Sequence, residues 1–166
     1  MPKIYISIGS NQDAERQIRF GLMQLKYYFS NVAVSKVYES EAVGFDGDNF
    51  LNLVASADTQ LTISQVDQAF KQIEKEAGRV RGEAKFSNRT LDIDLLLYDN
   101  LVCDTPIKLP RGEVLHHAFV LLPLAEIAPQ LKHPIQQKTY QQLWQDFDKR
   151  DEQQLWPINF DWDTSQ

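Results

Sequence analysis

Arg89-Thr90-Leu91-Asp92-Ile93-Asp94-Leu95-Leu96-Leu97-Tyr98 is the segment that decides how this chain folds. From Thr90 to Tyr98 the pattern predicts a strand, with Leu91, Ile93, Leu95 and Leu97 on one face and Asp92 and Asp94 on the other. A period of two aims both carboxylates the same way, roughly 6.6 Å apart along the strand. The apolar face must pack on a core. Two aspartates on the other face repel each other and are costly to bury unless a cation neutralises them. Carboxylate oxygens suit a hard cation, and magnesium commonly takes one or two carboxylates together with substrate phosphates. A solvated strand face with two surface acids fits the same residues, so the spacing alone leaves both readings open.

The residues just before the strand favour the first reading. Arg79, Arg81, Lys85 and Arg89 fall within eleven residues, opposed only by Glu83. Taken alone they read as a salt-bridge cluster. Beside an acidic pair they supply what a polyphosphate needs. Arginine grips phosphate oxygens through its planar fork, and magnesium bridges phosphates while charge moves. The combination points to a nucleoside triphosphate site.

Working outward, Lys3 to Ile8 alternates as a strand, and Gly9-Ser10-Asn11 is expected to turn the chain. Ile18, Leu22, Leu25 and Phe29 then recur at helical spacing, with Asp13 as the expected N-cap. Gly21 weakens this helix by roughly 1 kcal/mol against alanine. Val32-Ala33-Val34 and Val37-Tyr38 suggest a second strand, and Phe50 to Ala57 a third. Thr62 and Gln65 fit a capping box for a helix carrying Val66, Phe70, Ile73 and Ala77, with Gly78 expected as its C′ residue and a basic loop from Arg79 to Arg89. Later helices are expected over Phe119 to Ala128, containing Pro123, and around Tyr140, Leu143, Trp144 and Phe147. The tail after Asp148 has no clear period. The order β-α-β-β-α-loop-β favours an α+β or split-βαβ sheet over a doubly wound parallel one.

Composition bounds the answer. The chain has 166 residues, 43% apolar and 24% charged, enough for one domain with a real core. Disordered, collagen-like and disulfide-framework classes are excluded. The only cysteine, Cys103, rules out an intramolecular disulfide. No run approaches the ~18 apolar residues of a membrane span, and the start lacks the marks of a signal peptide. The expectation is a soluble cytoplasmic protein. A net charge of −6 argues against general nucleic-acid binding.

Other chemistry-bearing residues give weaker signals. There is no Walker-type or dinucleotide-binding glycine motif. His116 and His117 have no obvious third metal ligand. Cys103 shows no local activation, and no base can be assigned to Ser10 or Ser40. Trp144, Trp156 and Trp162 read as packing residues.

Arg89-Thr90-Leu91-Asp92-Ile93-Asp94-Leu95-Leu96-Leu97 resembles the signature of the 6-hydroxymethyl-7,8-dihydropterin pyrophosphokinase family. Ile8-Gly9-Ser10-Asn11, Phe50-Leu51-Asn52, Gly78-Arg79-Val80-Arg81 and the run from Phe119 to Pro129 support the resemblance, which covers about residues 4–134 of a single domain over 1–166. It implies a ferredoxin-like, mostly antiparallel α+β sheet with helices on its faces, and a monomer. It implies transfer of a diphosphoryl group from ATP to the pterin hydroxymethyl, releasing AMP, in folate biosynthesis. Asp92 and Asp94 would bind two magnesium ions. Arg79, Arg81, Lys85 and Arg89, with Lys108, Arg111 and His117, would hold ATP, and the basic loop would close as a lid. Asn52, Ser40, Ala42 and Val43 would meet the pterin edge, Phe50 and Phe119 would sandwich it, and Phe86 would cap the closed site.

The chain departs from the family pattern in places. The usual T-x-P-x-G is Ser40-Glu41-Ala42-Val43-Gly44, and the usual W-G-P-R is Phe86-Ser87-Asn88-Arg89. The family typically has P-H followed later by an arginine before F-V-L; here Pro110-Arg111 and His117 exchange those identities. The alternatives are a diverged relative that binds a pterin or nucleotide with little transfer, and an RNA-binding module on a ferredoxin-like sheet.

Overall fold

The computed structural model describes residues 1–41, 48–81 and 91–162, and at 79–81 the backbone alone. The strands are β1 (Lys3–Ser10), β2 (Ser30–Val34), β3 (Val37–Ser40), β4 (Phe50–Asp58), β5 (Asp92–Tyr98) and β6 (Trp156–Ile158). The helices are α1 (Ala14–Tyr28), α2 (Ile63–Arg81), α3 (Glu113–His116), α4 (Ala118–Ile127) and α5 (Tyr140–Gln145). The sheet runs β5-β1-β4-β3-β6, with β2 also pairing with β4, and every pairing is antiparallel. This is the ferredoxin-like order expected from the sequence, with a late strand added at one edge.

The alternation of β1 and β4 separates two cores. Ile4, Ile6 and Ile8 with Leu53, Ala55 and Ala57 face α1 and α2, where Ile18, Leu25, Phe70 and Ile73 meet them. Val54 and Leu96 face the other way, against Val120, Leu121 and Leu124 of α4 and Tyr140 of α5. Gly21 has a packing reason: a Cβ there would lie 3.1 Å from Leu91, at the mouth of β5.

Several local expectations are corrected. Gly9 and Ser10 do not turn the chain; they remain in β1, opposite Asn52 and Leu51. Asp13 stands at the N-cap of α1 with φ 52° and its side chain makes no cap bond. Gly78 lies inside α2, because the helix continues to Arg81, so Arg79 and Arg81 belong to its last turn rather than to a loop. Cationic residues suit that end of a helix dipole.

The second strand is broken into β2 and β3. At the break Ser35 Oγ accepts from Val54 N–H at 3.0 Å, while Ser35 N–H donates to Val54 O at 2.8 Å. Leu97 is not on the face of Leu91, Ile93 and Leu95. The register shifts between Tyr5 and Ile6, so Leu96 is an extra residue in β5 and both Leu96 and Leu97 join the α4 core. Such a bulge re-aims the side chains that follow it. The Thr62–Gln65 capping box is present, with bonds of 2.9 and 3.2 Å.

Candidate active site

On the α4 face of the sheet, the even positions of β4 and β5 and the odd positions of β1 come together. Asp92 and Asp94 project from β5, Ser7 and Gly9 from β1, and Phe50 and Asn52 from β4. They floor a cavity of about 840 Å³, within the range of small-molecule sites. Over it lie His117 and Phe119, at the start of α4. Adjacent strands are about 4.8 Å apart, so the carboxylates on β5 lie roughly 10 Å across the sheet from Asn52 on β4.

Asn52 is 7% exposed. It stands directly opposite Gly9, and a Cβ on Gly9 would collide with its Oδ1. Glycine at that position is therefore what makes room for the amide. Sequence reading took Gly9 as a turn residue and missed this role; only the cross-strand register reveals it.

Arg111 is held beside the acidic pair. Its Nε donates to Leu95 O at 2.9 Å and its backbone N–H to Leu96 O at 3.0 Å. Both carbonyls belong to an edge strand at its bulge. Nη1 lies 3.4 Å from Glu113 Oε2, and Nη2 lies 3.8 Å from Asp94 Oδ1. The His117 ring meets Phe119 edge-on with centroids 4.9 Å apart. Arg111 and His117, the pair whose identities are exchanged, thus line one cavity.

Next to the cavity, Tyr38 donates to Glu126 Oε1 at 2.6 Å, and Glu126 Oε2 accepts from Lys36 N–H at 2.9 Å. Burial first, and then this carboxylate, push the Tyr38 phenol above its usual range. It stays protonated and acts as a tie between β3 and α4.

Ser40, Phe50, Asn52, Asp92, Asp94, Arg111, His117 and Phe119 are therefore brought together. Lys108 is exposed and is not among the residues lining the cavity. The side chains of Arg79 and Arg81, and Ala42, Val43, Lys85, Phe86 and Arg89 as a whole, lie outside the described residues. Trp156 lines the cavity, contrary to the packing expected of it, whereas Trp144 stacks on Phe147 and Trp162 packs on Phe160. The tail segment 151–156, which carries no periodic signal, forms another wall.

The donor set fits magnesium. Asp92 is exposed and Asp94 half-buried, both on one strand face that opens into the cavity. Among the described residues no group of three or more histidine, cysteine or acidic side chains gathers to hold a metal. A pair of carboxylates that leaves coordination positions for phosphate and water is the arrangement magnesium takes.

A model of the 7,8-dihydro-6-hydroxymethylpterin-pyrophosphokinase family matches residues 5–129. The chain belongs to that family. This pyrophosphokinase-family chain is 37% identical over 141 residues to the 2-amino-4-hydroxy-6-hydroxymethyldihydropteridine pyrophosphokinase of Aquifex aeolicus, covering 83% of this chain and 88% of that one. It is 38% identical over 137 residues to the protein of the same name from Pseudomonas aeruginosa, covering 80% and 84%. The solved wild-type HPPK-DHPS of Plasmodium falciparum superposes with a TM-score of 0.73 at 13% identity, over 96% of this chain. This chain spans 47% of that chain's length, and the likeness speaks for the fold alone. The wall at 151–156 lies beyond the residues that the family model matches.

Proposed function

We propose that this chain transfers the diphosphoryl group of ATP to the hydroxymethyl oxygen of 6-hydroxymethyl-7,8-dihydropterin, as a step of folate biosynthesis. The observation that carries the reading is the single cavity joining Asp92 and Asp94 to Phe50, Asn52 and Phe119. One end suits metal and phosphate, and the other suits a flat, hydrogen-bonding ring.

The hydroxymethyl oxygen attacks the β-phosphorus. The bond from that phosphorus to the oxygen bridging the α-phosphate breaks, AMP leaves, and the hydroxyl proton passes to solvent. Two magnesium ions, held by Asp92 and Asp94 with the phosphates, would supply charge neutralisation in this exchange. The chain's own residues orient and neutralise. Arg111 and His117 reach the phosphate end. Asn52 donates and accepts at the ring edge, and Phe50 below with Phe119 above hold the ring by stacking. The resemblance to the family assigns Arg79, Arg81, Lys85 and Arg89 to the triphosphate and Ala42, Val43 and Phe86 to the ring.

Arg111 and His117 line the same cavity, so their exchange keeps one guanidinium and one imidazole in it, which favours an active enzyme over a diverged binder. Both faces of the sheet are packed against helices, which counts against an open RNA platform. Among the described residues no helix is long and apolar enough to cross a membrane.

The test is AMP formation from ATP and magnesium, with the pterin present and then omitted. Pterin-dependent AMP is the expected result. No AMP from folded protein overturns the reading.

A further inference from the structure

The tail from Asp151 to Trp156 crosses the cavity from α4 to the far edge of the sheet. At its start, Gln153 Oε1 accepts from Ala118 N–H at 2.8 Å and Gln153 Nε2 donates to His116 O at 3.1 Å. Ala118 is the first residue of α4, so this amide satisfies one of the helix's orphan donors. It also fixes the turn that carries His117 and Phe119. At its end, Trp156 enters β6 and pairs with Glu39 of β3, whose neighbour Ser40 pairs with Phe50.

The sheet order separates the Trp156 end of this strap from the metal end: β6 and β5 are opposite edges, four strand spacings or roughly 19 Å apart. Asp151 and Glu152 are exposed acids that line the cavity, and their charge opposes a triphosphate while leaving a neutral ring undisturbed. We propose that the strap 151–156 is a third wall of the ring-binding end, with Gln153 as the positioning residue that latches it to Phe119. The strap would thereby set affinity for the pterin more strongly than affinity for the nucleotide, which it touches only through the turn that carries His117.

This rests on the pyrophosphokinase reading, and the experiment separates the two. Steady-state kinetics of the full chain come first, varying the pterin and ATP independently. Gln153→Ala should raise the pterin KM about tenfold (~1.4 kcal/mol), with a clearly smaller rise in the ATP KM, because His117 lies between the two groups that Gln153 bonds. Gln153→Glu retains the acceptor for Ala118 N–H but loses the donor to His116 O, and should recover part of the loss at most. In the wild-type chain, amide exchange at 151–156 should slow when the pterin is added to the α,β-methylene-ATP complex, and not with the nucleotide alone. An unchanged pterin KM, equal rises in both KM values, or unaltered exchange at 151–156 overturns the strap. If Gln153→Ala fails to fold, the wild-type exchange experiment decides. Absence of pterin-dependent AMP from wild-type protein sinks the parent reading instead.

Discussion

At the scale of single residues, the site depends on side chains whose position is set by a neighbour across the sheet. Asp94 faces the cavity while Ile93 and Leu95 beside it face the α1–α2 core, so chemistry and packing are separated within three residues. Asp94→Asn should therefore lower kcat/KM by at least about 100-fold while moving folding stability by less than about 0.5 kcal/mol. Parallel assays of AMP release and urea unfolding check both halves; magnesium-dependent turnover near wild type would remove Asp94 from the metal site. Gly9→Ala places a methyl against Asn52 Oδ1. The amide must move, at a cost of about 1–3 kcal/mol. Unfolding titration should show that loss together with a raised pterin KM, and an unchanged KM would mean Asn52 does not meet the ring. Asp92 and Asp94 were legible because strand period alone pairs them. The contact between Gly9 and Asn52 was not, because it joins residues far apart in sequence.

At the scale of elements, local signals were read well where they depend on a few neighbouring residues. The Thr62–Gln65 box is one such case. Thr62→Ala should cost about 1 kcal/mol in urea unfolding and leave turnover unchanged, since α2 begins at the end of the sheet remote from the cavity. Lost turnover at full folding would contradict that placement. A second capping box, Thr139 with Gln142, opens α5 and escaped sequence reading although its residues fit the same rule. The end of α2 was misread because a glycine is permitted, though not required, to stop a helix. The face of Leu97 was misread because a bulge at Leu96 is invisible to a strict period of two. That bulge lies where Arg111 binds the carbonyls of Leu95 and Leu96, so the irregularity and the site are one feature.

At the scale of the whole molecule, stability and pH are linked through a buried histidine away from the cavity. His133 is 2% exposed, and its Nδ1 accepts from the N–H groups of Ile135 and Gln136, each at 3.1 Å. Burial holds its pKa below the ordinary 6.5, so the unfolded chain binds the proton more readily. The stability this contributes is fully present above 6.5 and is lost as pH falls below it. Unfolding midpoints measured from about pH 8 to about pH 5 should fall, and His133→Asn, which retains an acceptor, should flatten that part of the slope. An identical slope in the variant would assign the dependence to other groups. The sequence by itself determined the α+β class, the strand that carries both carboxylates and the helical periods, since each follows from spacing within one element. Tertiary structure alone decided that Arg111 and His117 share a cavity, that Gly9 makes room for Asn52, and that the aperiodic tail lines that same cavity. Those contacts join residues whose separation along the chain carries no periodic trace; packing and sheet register bring them together.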